Sequence, residues 1–241
     1  MVDTAPTKPP FQIGMLVFPG MTALDFAAPL EFFARMPDTR VHVLAKTMEP
    51  VATDIGMHTM PTLRMKDAPR LDLLFIGGGP GINALMEDQE TIAFLAARAP
   101  EAQWITSVCT GALVLGAAGL LRGYQAATHW ASMEVLPLLG ATPAYERVVV
   151  DRNRITGGGV TAGVDFALTV AAQLHGVEWA QAIQLALEYD PRPPFPGGSP
   201  ATAAPELVAT VRASLGDWTQ ARVDVARRVA KNNGWPEPAR A

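Results

Sequence analysis

Cys109 is the only cysteine of this 241-residue chain, and its surroundings are those of a nucleophile. It follows the apolar, β-rich run Trp104–Val108 and precedes Thr110-Gly111, after which the helix-forming run Ala112–Leu115 begins. A strand that turns sharply into a helix lifts the residue at the junction clear of the backbone and points free helix N–H groups at it. The helix N-terminus is expected to lower the pKa of a thiol there. The alternative is that Cys109 is simply a small buried hydrophobe.

Asp25 is the best candidate for a proton donor and acceptor beside that thiol. It lies just past the end of the first apolar run, within the apolar sequence Ala23-Leu24-Asp25-Phe26. A carboxyl group in apolar surroundings has a raised pKa, so it can hold or donate a proton near neutral pH. The alternative role for Asp25 is to cap the N-terminus of a helix predicted over Leu24–Met36.

A glycine-rich segment, Gly77–Gly81 (GGGPG), leaves three interpretations open. As a phosphate cradle it lacks both the GxGxxG spacing and a Walker lysine, so nucleotide binding has little support. Its backbone N–H groups could instead form an oxyanion-hole-type site, with the N–H of Thr110 as a second donor. It could also be only a tight turn between a strand and a helix.

The remaining polar side chains do not predict a metal centre. The four histidines have no metal-ligand spacing, and a lone thiol is a poor basis for a zinc site. One of them, His129, could approach Cys109, although a histidine in such a place more often has a structural role. Ser107, two residues before Cys109, is expected to pack in the core rather than to react. No GxSxG nucleophile motif is present. The histidines are His42, His58, His129 and His175.

Composition excludes several classes of protein. The formal net charge is −4 and no basic run occurs, so a nucleic-acid or anionic-membrane surface is not expected. No apolar run reaches the roughly 20 residues that a membrane helix needs. A single cysteine rules out an internal disulfide and fits a reducing compartment, so we expect a cytoplasmic protein.

Buried strands that alternate with helices predict a doubly wound α/β domain with a mostly parallel sheet. A small hairpin is expected over Val51–Thr62, and the proline-rich segment Asp190–Pro200 is expected to be irregular. The predicted strands are Phe11–Phe18, Val41–Ala45, Leu71–Ile76, Trp104–Val108, a short strand or turn at Gln125–Trp130, and the pair Arg147–Val150 and Arg154–Thr156. The predicted helices are Leu24–Met36, Asp88–Arg98, Ala131–Leu139, Thr161–His175, Glu178–Tyr189 and Ala203–Asn232, the last with a break near Gly216 and Trp218.

The candidate residues fall where such a sheet binds ligands. Ligands bind at the carboxyl ends of parallel strands, and three strand exits carry glycines, at Pro19-Gly20, Gly77–Gly81 and Gly157–Gly159. Cys109 lies at a fourth exit, which favours a functional thiol. The domain prediction is a disordered tail over 1–10, the α/β domain over 11–200 and a helical extension over 201–241, packed on the same domain or across a dimer.

Several segments, in order along the chain, resemble the DJ-1/PfpI superfamily, which has a class I glutamine amidotransferase-like fold. SVCTG, GLL and THW are shared widely in that superfamily. Asp25 and the segment Leu187–Pro200 are more similar to its isocyanide hydratase branch. The resembling segments are Leu16–Pro29, Ile76–Met86, Ser107–Leu121, Ala127–Trp130, Ile155–Leu168 and Leu187–Pro200.

The resemblance implies a flavodoxin-like sandwich and a cofactor-free homodimer whose active sites lie near the interface. It implies that Cys109 is the nucleophile, Asp25 the acid and base, and Thr110 the neighbour of the cysteine. It implies that an isocyanide is hydrated to an N-formamide through a covalent thioimidate. The residues implied to surround the substrate are Gly78, Gly79, Gly158 and Val160, and an apolar pocket would add Trp130.

The sequence also departs from other branches of the superfamily. Thr110 stands where the PfpI-type peptidases carry histidine, and no Cys-His-Glu triad of the amidotransferase type can be placed. About forty residues follow Pro200, too few for the two helix-turn-helix units of the related regulators. Gly77 replaces a proline of the hydratases. A cofactor-free glyoxalase or deglycase and a cysteine redox sensor remain as alternatives.

Overall fold

A computed structural model describes residues 9–236 of the chain. Most of the predicted disordered tail, residues 1–8, lies outside the described residues, and Pro9 and Pro10 are irregular. The strands are β1 (Phe11–Leu16), β2 (Thr39–Ala45), β3 (Val51–Ala52), β4 (His58–Thr59), β5 (Leu63–Arg64), β6 (Leu73–Ile76), β7 (Trp104–Val108), β8 (Gln125–Ala126), β9 (Thr142–Pro143), β10 (Val148–Asp151) and β11 (Arg154–Gly157). The helices are α1 (Ala23–Phe33), α2 (Ile82–Leu85), α3 (Gln89–Arg98), α4 (Gly111–Ala117), α5 (Ala162–His175), α6 (Val177–Ala186), α7 (Pro205–Ser214) and α8 (Gly216–Asn232), with 3₁₀ segments at Met65–Asp67 and Trp130–Leu139.

The main sheet has seven strands in the order β10-β11-β7-β6-β1-β2-β5. All neighbouring strands run parallel except β10, which pairs antiparallel with β11. One group of helices, α1, α5 and α6, packs together, and a second group gathers around α4. The predicted doubly wound α/β fold is therefore confirmed.

Aromatic side chains join the sheet to the first group of helices. Phe75 of β6 lies 5.9 Å from Phe33 of α1 and 5.6 Å from Phe166 of α5, measured between ring centroids. All three side chains are fully buried. Helix α1, which carries Asp25, is thus held rigidly against the centre of the sheet.

Several predicted elements are confirmed, and others differ for local reasons. The strand Trp104–Val108 has the predicted bounds, Val51–Thr59 contains the predicted hairpin, and Asp190–Pro200 has no regular structure. The helix predicted over Ala131–Leu139 is instead a 3₁₀ segment, Trp130–Leu139, which contains Pro137 and ends at Gly140 with φ +81°. A proline has no N–H for the i−4 bond of an α-helix, which is the physical reason for this difference.

The C-terminal helices pack differently from each other. Helix α8 lies against the 3₁₀ segment Trp130–Leu139 and against α4, and buries Arg222, Val223 and Ala226. Helix α7 has no buried residue. The predicted break in this region falls at Leu215, between the two helices. Within residues 9–236, no helix combines the length and the apolar character needed to cross a membrane.

Candidate active site

Cys109 occupies a strained backbone turn between β7 and α4. Its φ is +56°, in the left-handed region that a residue with a side chain seldom adopts. The N–H of Cys109 donates to the carbonyl oxygens of Gly157 (3.1 Å) and Gly158 (2.8 Å), and the Thr128 hydroxyl donates to the Cys109 carbonyl oxygen (2.9 Å). These bonds hold the strained conformation, so the sharp turn predicted at the end of β7 is confirmed; we call this turn, at Cys109, the elbow.

Asp25 points into the same region and does not cap its helix. The N-cap position of α1 is Thr22, and Asp25 is the third residue of the helix. Its carboxyl group is buried, with 1% of the residue exposed, and Oδ2 accepts a hydrogen bond from the N–H of Gly78 at 2.7 Å. Oδ1 forms no hydrogen bond of regular geometry within the described part of the chain. One carboxylate oxygen is thus fixed and the other is free to handle a proton.

Burial raises the pKa of Asp25 to about 6. The hydrogen bonds from Gly78 and from the Cys109 thiol favour the carboxylate and offset part of this rise, and the negative charge of Asp54 adds to it. The predicted direction is therefore confirmed. A carboxyl group with this pKa changes protonation close to neutral pH, as a general acid and base must.

The predicted lowering of the thiol pKa is wrong. Burial, followed by the charge of Asp25 and its hydrogen bond to the thiol, raises the pKa of Cys109 far above its ordinary value. The N–H and hydroxyl of Thr110 act in the opposite direction, because they favour the thiolate, but they do not outweigh burial. The resting pair at neutral pH is accordingly a thiol beside a carboxylate.

The glycine loop after β6 supports this pair and has no free donors at Gly78 and Gly79. Gly78 N–H is bound to Asp25, and Gly79 N–H donates to Thr110 Oγ1 at 3.0 Å. These two loop N–H groups are thus not available as oxyanion-hole donors, and the loop instead fixes the two side chains that flank Cys109. Because Thr110 Oγ1 accepts from Gly79, its own O–H is left to point at the sulfur. A Cβ at Gly77 would lie 2.9 Å from Asp25 Cβ, so α1 approaches the loop closely there too.

We predict that Gly78→Ala destabilises the protein and removes most of its activity. A Cβ at this position would lie 2.4 Å from Thr110 Oγ1 and 2.5 Å from Thr110 N, so backbone must move. Overpacking of this kind lowers the free energy of unfolding by about 1–3 kcal/mol. Thermal unfolding and a turnover assay measure the two effects. Gly198→Ala, at a position with no atom within 4 Å of the added Cβ, is the matched control, and equal effects of the two changes would contradict the prediction.

Two further segments meet at Cys109 and form another wall of the site. Gly158 accepts the Cys109 N–H, and Val160 is partly buried just before α5 begins. A Cβ at Gly159 would lie 3.0 Å from His129 Cδ2, so this turn contacts the segment that leads into Trp130. The rings of His129 and Trp130 lie 5.7 Å apart. The structure therefore brings Gly158 into direct contact with Cys109, while Val160 and Trp130 are neighbours in sequence of the residues that form this wall.

Helix α8 buries an arginine, Arg222, that no pattern in the sequence marks. The residue is 8% exposed, and its Nη1 donates to the Ser132 hydroxyl at 3.2 Å. Its Nε has no hydrogen-bond partner within the described residues, and it takes part in none of their salt bridges. Burial, and then the positive charge of Arg222, lowers the pKa of His129. No local pattern marks this arginine, since its role depends on how α8 packs.

The described residues contain no cluster of three His, Cys, Asp or Glu side chains arranged to hold a metal ion. Nδ1 of His129 accepts from the N–H of Ala131 at 3.3 Å, and no hydrogen bond joins His129 to Cys109 among the described residues. Burial lowers the pKa of His129, so the imidazole is neutral at neutral pH. Among the side chains of the described residues, Asp25 has the largest effect on the pKa of the thiol.

Residues 12–173 match the model of the DJ-1/PfpI family. The chain belongs to the DJ-1/PfpI family. This DJ-1/PfpI protein is 48% identical to the isonitrile hydratase of Pseudomonas putida, over 91% of its own length and 96% of that relative. It is also 30% identical to the transcriptional regulator GbdR of Pseudomonas aeruginosa, but it spans only 55% of the length of that regulator.

Solved structures agree with the family assignment. A THiJ/PfpI family protein from Pseudomonas syringae superposes with a TM-score of 0.89 at 43% sequence identity, over 93% of both chains. Drosophila melanogaster DJ-1beta superposes with a TM-score of 0.67 at 22% identity, which shows a shared fold alone. The alignment with the Pseudomonas syringae protein extends well beyond the 162 residues of the family match, so the likeness includes C-terminal parts of this DJ-1/PfpI protein.

Proposed function

We propose that this protein is an isocyanide hydratase that converts R–N≡C and water to an N-formamide, R–NH–CHO. The single observation that carries the proposal is the buried pair of Asp25 carboxylate and Cys109 thiol, with Asp25 Oδ1 free of other partners. The 48% identity to an isonitrile (isocyanide) hydratase over nearly the whole chain supports the choice of substrate class.

The first chemical step joins the sulfur to the terminal carbon of the isocyanide. Asp25 takes the thiol proton as the S–C bond forms, and returns that proton to the same carbon. The product of this step is a thioimidate, R–N=CH–S–Cys109, with no proton left over. A carboxyl group with a pKa of about 6 suits both transfers, because it is neither a very weak base nor a very weak acid near neutrality.

The second step releases the product and restores the thiol. Asp25 accepts a proton from a water molecule as the water oxygen adds to the thioimidate carbon, and passes this proton to the nitrogen. The C–S bond then breaks, the hydroxyl becomes the formyl oxygen, and its proton returns to the sulfur through Asp25. Thr110, whose O–H and N–H favour a negative sulfur, stabilises the leaving thiolate.

Gly78 and Gly79 act in this proposal as supports for Asp25 and Thr110. Gly158, Val160 and Trp130 are assigned to the walls of the substrate pocket. An apolar wall suits an uncharged isocyanide and keeps out bulk water, which would compete for the protons that Asp25 transfers.

We predict that kcat/KM rises with pH through about pH 6, because the pKa of Asp25 is about 6 and its carboxylate must be free to accept the thiol proton. Below that pH the group is protonated and the first step stops. Initial rates on an aryl isocyanide between about pH 4.5 and 8 give this profile. Circular dichroism at each pH separates loss of a proton acceptor from unfolding, and a flat profile across this range in folded protein would contradict the prediction.

The substrate class is tested by comparing p-substituted phenyl isocyanides with methylglyoxal on one batch of protein. Formamide production supports the proposal. Activity on methylglyoxal alone would replace it with a glyoxalase function, an activity that the name of a 27%-identical relative from Caenorhabditis elegans carries. A redox-sensor function is disfavoured, because peroxide-sensing thiols have a low pKa whereas the pKa of Cys109 is raised.

We further propose that the protein is a homodimer and works without a cofactor in the cytoplasm. Exposed apolar side chains on and near α7, among them Leu207, Val211 and Trp218, offer a surface that a second copy would cover. Light scattering on purified protein tests the dimer, since a particle of one 25.6 kDa chain would refute it. A reducing compartment would keep Cys109 as the thiol that the scheme needs.

A further inference from the structure

A cavity separate from the Cys109 site lies beside the last residue of the glycine loop. Its volume is about 440 Å³, and its walls come from the end of β1, the segment after β2, and the helices α2 and α3. Open α/β sheets bind ligands at the carboxyl ends of their strands, where this cavity lies. Small-molecule sites have volumes of roughly 300–1,000 Å³, so the cavity has the position and the size of a ligand site.

The inner walls of this cavity are apolar. Val17 and Phe18 come directly after β1. Met65 begins the 3₁₀ segment that follows β5, and Leu85 is the last residue of α2. All four side chains are buried. Apolar side chains around a cavity gain dispersion contacts when an apolar group packs against them, so the interior favours the apolar body of a ligand.

Contacts between two backbone segments separate the cavity from the active site. The N–H of Gly81, which lines the cavity, donates to the carbonyl oxygen of Gly20 at 3.0 Å. A Cβ at Gly81 would lie 2.0 Å from the carbonyl oxygen of Pro19, so loop and turn touch directly. Gly78, three residues earlier in the same loop, holds Asp25. The cavity is therefore a neighbour of the active site and not a part of it.

Charged side chains at the mouth of the cavity carry a net negative charge. Lys46 pairs with Asp88 and with Glu90, whose Oε2 lies 3.7 Å from its Nζ. Glu49 also lines the mouth, and it takes part in no salt bridge among the described residues. One positive and three negative charges leave a net charge of −2 there. This charge disfavours an anionic ligand and favours a cationic group.

We propose that this cavity is a binding site for a small amine with an apolar body, of the arylalkylamine class. The apolar body packs between Val17, Met65 and Leu85, and the ammonium group stays at the mouth beside Glu49, which is exposed to water. The head group does not enter the interior, because a charge is costly to bury without a partner. The proposal rests neither on Cys109 as a nucleophile nor on an isocyanide as the substrate.

Methyl NMR of methionine-labelled protein tests the site, with 2-phenylethylamine as the probe. We expect the Met65 methyl resonance, assigned with Met65→Leu protein, to shift until the site is saturated. Met133, within the 3₁₀ segment Trp130–Leu139, reports binding on the active-site side and is expected to stay unchanged. Ala84→Phe fills the cavity from an exposed position of α2 and is expected to weaken binding about tenfold or more. Ala186→Phe, at an exposed position of α6, is the matched control.

An absent Met65 shift, or a shift that Ala84→Phe leaves intact, would overturn the proposal. The charge of the ligand is tested on the unmodified protein, so this arm holds even where Ala84→Phe does not fold. 3-Phenylpropionate has the same apolar body and a carboxylate, and we expect it to bind about fivefold more weakly than the amine. Glu49→Gln is expected to weaken binding of the amine about twofold, without changing that of neutral 2-phenylethanol.

Equal or tighter binding of 3-phenylpropionate would overturn the ligand class. The readout is binding and not turnover, so its failure is distinguishable from failure of the proposed hydratase function.

Discussion

Replacement of Cys109 by serine is expected to reduce isocyanide turnover below detection while leaving the fold intact. A serine hydroxyl is a far weaker acid than a thiol, and the buried carboxylate of Asp25 makes its ionisation harder still. The change in volume is small, so the elbow and its hydrogen bonds are expected to persist. Formamide production followed by chromatography measures turnover, and circular dichroism checks the fold.

Ser107→Ala is the matched control for this substitution. Ser107 lies two residues earlier on β7, and its buried hydroxyl has no hydrogen-bond partner in the described structure. Its loss is expected to leave turnover within about threefold of normal. Intact-mass measurement during turnover adds a second check, since the thioimidate adds the mass of one isocyanide to the chain. Full formamide production by Cys109→Ser protein would exclude the covalent route.

Asp25→Asn is expected to lower kcat by about 10²–10⁴-fold, the range that a positioned general acid and base supplies. The amide oxygen can still accept the hydrogen bond from Gly78, so the loop is expected to hold its place, but an amide cannot carry the proton. Asp54→Asn is the control. Asp54 accepts from Thr22 Oγ1 at 2.8 Å at the start of the same helix and is not in contact with the thiol. Similar losses for both variants would mean that helix placement, not proton transfer, explains the effect.

The same Asp25→Asn change is expected to stabilise the protein above pH 6. The pKa of Asp25 is about 6 in the folded chain and 3.8 for an ordinary aspartate, so the folded state binds the proton more tightly than the unfolded state. Stability from this group is full below about pH 4 and is lost as pH rises through 6. The gain in the free energy of unfolding from Asp25→Asn should therefore grow between these pH values, to roughly 3 kcal/mol. Urea unfolding at pH 4 and pH 8 measures it, and an equal difference at both pH values would contradict the expectation.

The sheet and the elbow could be predicted because their signals are local. The apolar run Trp104–Val108 predicts a strand, and a helix-forming sequence follows it almost at once. The change from strand to helix within a few residues predicts the sharp turn at Cys109. The carboxyl ends of parallel strands lie at one edge of the sheet, so the sequence also predicted that Asp25 and Cys109, which follow two such ends, lie at the same edge. The two-residue strand Leu63–Arg64 and the short helix Ile82–Leu85 could not be predicted, since elements this short depend on their neighbours more than on their own pattern.

The electrostatics of the site could be predicted only in part. Helix α1 buries Asp25 together with its apolar neighbours Ala23 and Phe26, so the raised pKa of Asp25 was predictable. For Cys109 the helix N-terminus is a local feature, but burial and the charge of Asp25 arise from packing between distant segments and reverse the expected shift. The burial of Arg222 could not be predicted for the same reason, because it depends on the distant segments against which α8 packs.

The packing of α8 also sets an order of events during biosynthesis. A ribosome adds Cys109 long before it adds Arg222, and the strands, elbow and aspartate can assemble in the interval. During that time α4, the helix that follows the elbow, and the 3₁₀ segment Trp130–Leu139 lack the helix that packs against them in the folded chain. The support of the elbow helix would thus be complete only after α8 has been synthesised and has docked.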